Sequence, residues 1–139
     1  MSTSPVIQAF ASGFPVTLLH VAISVGMLFA AAAVYILLTP HHEIRLVREG
    51  NTAAAVDVGG VLVGLAIPLA YSLKASTNLT DLALWGLATV AIQLLVFRLV
   101  DLVLRGLPKR IQDGEMAAAA VLAGAKLATA VIVAASVSV

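Results

Sequence analysis

Asp57, Gln93, Arg98, Asp101 and Lys126 stand inside long apolar runs of the sequence. A charge at the centre of a membrane helix costs roughly 2.5–3.5 kcal/mol on insertion scales, so such groups are expected to face protein or water and to have partners. Two chemistries fit this set: joining helices by ion pairs and hydrogen bonds, or carrying a proton or ion across the bilayer. Depth along the runs suggests the pairings. Asp57 lies about six residues, or ~9 Å, from the end of its run, and Arg98 lies at a similar depth from the same side. Asp57 is therefore expected to pair with Arg98, assisted by Asp101 three residues further on. Lys126 and Gln93 are each about eleven residues in, near the midplane. They are expected to meet, unless Lys126 finds a carbonyl or a water instead. No carboxylate shares the depth of Lys126, so a neutral amine, snorkelling, or a partner across a subunit interface of a homo-oligomer also fits.

A second constellation occurs twice, 64 residues apart. Glu49-Gly50-Asn51-Thr52-Ala53-Ala54-Ala55 is echoed by Asp113-Gly114-Glu115-Met116-Ala117-Ala118-Ala119, with Arg45 and Arg48 before the first copy and Lys109 and Arg110 before the second. Each copy opens a long apolar segment, as expected if one helical hairpin had been duplicated. The acids are expected at helix starts, where negative charge complements the dipole, and Gly50 and Gly114 at the turn into the span. Asn51 is a natural cap for the following helix. The charged residues inside the spans do not repeat: Asp57 corresponds to Val121 and Lys126 to Leu62.

The elements that must position these groups follow from composition. The chain of 139 residues is 61% hydrophobic and 11% charged, with a mean hydropathy of +1.08. Soluble domains are about half apolar and about a quarter charged, so the excess points to lipid. A spanning helix needs ~20 mainly apolar residues. Four segments qualify, at about 14–38, 52–73, 82–104 and 115–137, after an exposed or interfacial segment 1–13. The fold expected is an all-α, four-helix transmembrane bundle of two parallel hairpin repeats. The N-terminal region lacks a basic stretch and a cleavage site, so the first apolar run reads as a retained span.

Five basic residues, Arg45, Arg48, Arg105, Lys109 and Arg110, fall in the first and third loops, against Lys74 alone in the second. The positive-inside rule then places those two loops in the cytoplasm and both termini outside. Small residues at Gly60-x-x-x-Gly64 and Ala120-x-x-x-Gly124 suit close packing, so the second and fourth spans are expected to be innermost. Pro68 removes a backbone donor inside the second span. Trp85, Tyr35 and Phe14 read as interfacial anchors.

Other signals carry less. Adjacent His41 and His42 with Glu43 lack the i, i+4 spacing of a zinc site, so no metal is expected there. Asn78-Leu79-Thr80 matches a glycosylation sequon, a short and unspecific pattern. The net charge of +1 argues against nucleic acid as a partner. Cysteine is absent, and no phosphate loop, nucleophile elbow or nucleophile–base pair is visible, so neither catalysis nor a cofactor is expected.

Arg48-Glu49-Gly50-Asn51-Thr52-Ala53-Ala54 within Ile44 to Pro68, Asp81-x-x-x-Trp85 with Gln93, and Ile111-x-x-Gly114-Glu115-x-Ala117-Ala118 resemble the YjfL-type family of small bacterial inner-membrane proteins. The resemblance spans nearly the whole chain. It implies a four-span inner-membrane protein of a family without assigned activity, with a loose link to membrane stress. The expectation is a non-enzymatic integral protein, structural or stress-related. Its cytoplasmic motif (Arg48, Glu49, Gly50, Asn51, Asp113, Gly114, Glu115) would dock a peripheral protein or anionic lipid. The alternative is a small oligomeric conductor of protons or ions using Asp57, Gln93, Arg98, Asp101 and Lys126.

Overall fold

The computed structural model describes residues 4–39 and 43–137. These residues form only helices and their connections: α1 Pro5–Leu38, α2 Glu43–Arg48, α3 Thr52–Ala75, α4 Leu79–Val103, α5 Gly106–Gln112 and α6 Met116–Val137. Among the described residues, α1, α3, α4 and α6 are long and apolar enough to cross a membrane. The short α2 and α5 sit in connections expected to be loops.

Polar caps fix where the long helices begin. Ser4 accepts the Ile7 N–H at 3.2 Å and Pro5 follows as the first helical residue, so α1 starts well before Phe14 and runs through positions 13 and 14 without a break. At 34 residues it spans ~51 Å, more than the ~30 Å hydrocarbon layer, and its first half is exposed. Asn51 caps α3 by accepting from Ala54 N–H at 3.0 Å. Asn78 caps α4 by accepting from Asp81 N–H at 2.8 Å, which gives the Asn-Leu-Thr triplet a structural role.

Gly50 and Gly114 both take positive φ, +88° and +82°. Each ends a short helix in the same way. Gly50 N–H bonds to the Val47 carbonyl and Asn51 N–H to Leu46; Gly114 N–H bonds to Ile111 and Glu115 N–H to Arg110. These are Schellman closures, in which the left-handed residue lets two successive N–H groups reach back to carbonyls of the last turn. The acids therefore stand elsewhere than expected. Glu49 and Asp113 close the C-terminal ends of α2 and α5 rather than opening a span, because each connection is itself long enough to form a helical turn before the glycine.

The centre of the bundle is the α3–α6 contact. A Cβ placed on Gly60 would lie 2.7 Å from Ala123 Cβ, and one on Gly64 would lie 2.7 Å from Phe97 Cζ. The Gly60-x-x-x-Gly64 face is thus used as anticipated. Ala120 and Gly124 are exposed, with nothing within 4 Å of the Gly124 position; the face of α6 that packs instead carries Ala119, Ala123, Lys126 and Ala130. One apolar cluster joins Ala31, Ala32 and Tyr35 of α1 to Val61, Leu65 and Phe97. A second joins the starts of α3 and α6 to Ile111, flanked by Leu46, Val47 and Leu107 of the short helices.

Candidate functional site

Between these clusters lies a buried polar network with a member from each long helix. Lys126 of α6 is fully buried, and its Nζ lies 3.1 and 3.2 Å from the two carboxylate oxygens of Asp57 on α3. It also donates to the Tyr35 hydroxyl of α1 at 2.5 Å and meets Asp101 Oδ1 of α4 at 3.1 Å as an ion pair. Tyr35 in turn donates to Asp101 Oδ2 at 2.5 Å. The lysine ammonium has three N–H donors. Three acceptor groups from three other helices surround it.

The neighbours complete the electrostatics. Arg98 Nη1 lies 3.8 Å from Asp101 Oδ2 and is partly exposed, so it borders the network. Glu43 of α2 is fully buried and adds a further carboxyl group beside Asp57. The Phe97 ring meets the Tyr35 ring edge-on at 5.9 Å between centroids.

The pairings differ from those expected. Asp57 pairs with Lys126 rather than Arg98, and Gln93 does not reach Lys126: both ends of its amide lack a hydrogen-bond partner among the described residues. The reason lies in side-chain direction. Helical side chains lean towards the N-terminus of their own helix. The lysine stem therefore runs back towards the α2/α5 end, where Asp57 stands one and a half turns into α3. On α1 and α4, which run the other way, Tyr35 and Asp101 lean inward to meet it. Depth counted on Cα positions separates these groups, and the long lysine stem closes the gap.

Two members carry no clear signal in the sequence. Tyr35, expected at the lipid interface, is fully buried and holds the centre of the network. Its signal was the small face it shares with Ala31 and Ala32. The sequence groups Glu43 only with His41 and His42, which lie outside the described residues.

The repeated motif lies apart from this network, at the same end of the bundle. Asn51 Nδ2 donates to the Ile111 carbonyl at 2.9 Å and the Gln112 carbonyl at 3.3 Å, stitching one connection to the other. Glu49 pairs with Arg45 at 3.5 Å, and Glu115 pairs with Arg110. Arg48, Asp113 and Glu115 are exposed.

Four apolar helices crossed by one buried ion-pair network define a polytopic helical membrane protein. The family model described as Domain of Unknown Function (DUF350) matches residues 9–137, and the chain belongs to that family. It is 35% identical over 106 residues to the UPF0719 inner membrane protein YjfL of Escherichia coli strain K12, covering 76% of this chain and 80% of that protein. The same identity and coverage hold for YjfL of Escherichia coli O157:H7. No solved structure matches. Together with the four apolar helices, this kinship makes the chain a multi-pass inner-membrane protein.

Proposed function

We propose that the protein is a non-enzymatic structural component of the inner membrane, serving membrane maintenance or the response to envelope stress. One observation carries this reading: Lys126 gathers groups from all three other spans in a site without solvent exposure. Such a centre fixes helix order and register. The frame is two parallel hairpins, a reading supported by the matching Schellman turns at Gly50 and Gly114, each opening an alanine-rich helix. The α2/α5 end faces the cytoplasm. There Arg45, Arg48, Arg105, Lys109 and Arg110, all exposed, offer a basic surface to anionic headgroups or to a peripheral partner.

The test is reconstitution in liposomes under an imposed pH or cation gradient. The wild-type protein is expected to dissipate the gradient no faster than empty vesicles do. Sustained flux that disappears in Asp57→Asn would refute the structural reading and make the network a conduction site.

A further inference from the structure

The network does not account for all the buried polar groups of the bundle. On α4 the buried face runs Leu82, Gly86, Thr89, Gln93, Phe97 and Asp101. Two turns beyond Asp101 comes Gln93, fully buried, with neither its amide N–H2 nor its carbonyl oxygen bonded among the described residues. One turn further is Thr89, buried, whose hydroxyl also has no partner among the described residues. Across the core, α3 runs antiparallel to α4, and Phe97 touches the Gly64 position. The Phe97 ring leans back about one turn along α4 to reach Gly64, and Ser72 shares its cavity with Trp85, so Gln93 is about level with Gly64, Thr89 with Pro68 and Trp85 with Ser72.

The α3 side of this seam is polar at Pro68 and at Ser72. Pro68 has no N–H, so the Gly64 carbonyl, which points towards Pro68, loses its helical donor. Ser72 is buried and its hydroxyl likewise has no partner among the described residues. Ser72 also lines a cavity of about 350 Å³ at the α3–α4 connection, together with Ser76, Asp81, Trp85 and Ser136. Unbonded polar groups thus form a line from that cavity down the α3–α4 seam to Gln93. The line stops at the Phe97 ring, and beyond the ring lie Tyr35 and Lys126.

Buried polar groups in folded proteins are nearly always hydrogen-bonded, to protein or to ordered water. An isolated orphan is a local defect; successive orphans about one turn apart along the seam of two facing helices, ending in a cavity, share one solution. We propose that Ser72, Thr89, Gln93 and the Gly64 carbonyl line a hydrated path that brings protons from the α3–α4 end to Phe97, which separates them from the Lys126 network. The proposal goes beyond the structural role and does not depend on it.

The absence of cysteine from the sequence allows a direct test. Ser72→Cys, Thr89→Cys and Gln93→Cys are reconstituted in nanodiscs, which expose both faces, and treated with silver ion, a probe small enough to follow water. Thiols left unreacted are counted with a fluorescent maleimide after denaturation. Leu95→Cys, on the exposed face of α4, is the lipid-facing control. Silver is expected to react severalfold faster at Ser72→Cys, Thr89→Cys and Gln93→Cys than at Leu95→Cys. Reaction at Thr89→Cys and Gln93→Cys no faster than at the control would overturn the path. A second measurement leaves the polar groups intact. In liposomes, Phe97→Ala is expected to raise proton uptake severalfold over wild type, and adding Gln93→Leu should return it to the wild-type rate. A folded Phe97→Ala protein as tight as wild type would equally overturn the proposal.

Discussion

Lys126 is the residue on which the polar interior depends, and its surroundings decide what replacing it should do. Two buried carboxylates, Asp57 and Asp101, face its ammonium at 3.1 Å, while Arg98 stands only at the border of the site. Removing one partner of a buried ion pair typically costs roughly 3–5 kcal/mol, because the other charge is left unpaired, whereas replacing both by apolar groups is often neutral. Lys126→Met is therefore expected to destabilise the bundle strongly in denaturant titrations in bicelles. The double variant Lys126→Met/Asp57→Leu should recover a large part of the loss, since Asp101 keeps Tyr35 and Arg98. Equal loss in single and double variants would mean that the pair does not act as a unit. The identity of the polar residues was plain in the sequence, since Asp57, Asp101 and Lys126 interrupt apolar runs. Their pairing was not, because it is set by side chains of unequal reach leaning along helices of opposite direction. Tyr35 was hidden for a different reason: near a helix end, a tyrosine facing headgroups and one facing a buried lysine occupy the same kind of position in the chain.

Among the elements, α3 and α6 make the close contact, and small residues license it at some positions and not at others. Gly60 meets both Cβ and Cα of Ala123, at 2.7 and 3.0 Å from its added Cβ, so neither helix can give way without moving backbone. Gly60→Ala is expected to cost roughly 1–3 kcal/mol, the usual range for overpacking. Gly124 faces open space, and Gly124→Ala should be neutral or stabilising by up to ~1 kcal/mol through helix propensity. Thermal unfolding followed by circular dichroism separates the two; similar shifts would show that the α3–α6 seam is not the tight contact. Both small-residue motifs looked alike in the sequence. An alanine-rich helix carries such spacings on every face, and only the opposing helix decides which one is used. The spans themselves were legible because twenty apolar residues have few other fates. The six-residue α2 and seven-residue α5 were not, since helices that short draw their stability from packing Leu46, Val47 and Ile111 onto the bundle rather than from their own sequence.

For the whole molecule, charge is distributed by end. Arg45, Arg48, Arg105, Lys109 and Arg110 are exposed at the α2/α5 end, and Arg98 lies towards the same end beside Asp101; the α3–α4 connection has Lys74 alone. Orientation follows basic residues in short loops near the span ends, with acidic residues contributing little, so Glu49, Asp113 and Glu115 do not offset the bias. Lys126 does not enter the count, because it is buried between carboxylates inside the bundle. The α2/α5 end is thus expected in the cytoplasm and the α3–α4 connection outside. Because the chain has no cysteine, single substitutions at exposed positions report this without background. With the outer membrane of whole bacteria permeabilised, a membrane-impermeant maleimide should label Thr80→Cys at once. Glu49→Cys and Gln112→Cys should react only after lysis. The opposite pattern would invert the protein, place its basic surface away from the anionic cytoplasmic leaflet, and remove the basis for docking at that end. It would also turn the mouth at Ser76 and Asp81 towards the cytoplasm, so the same three variants set the direction from which protons would enter the α3–α4 seam.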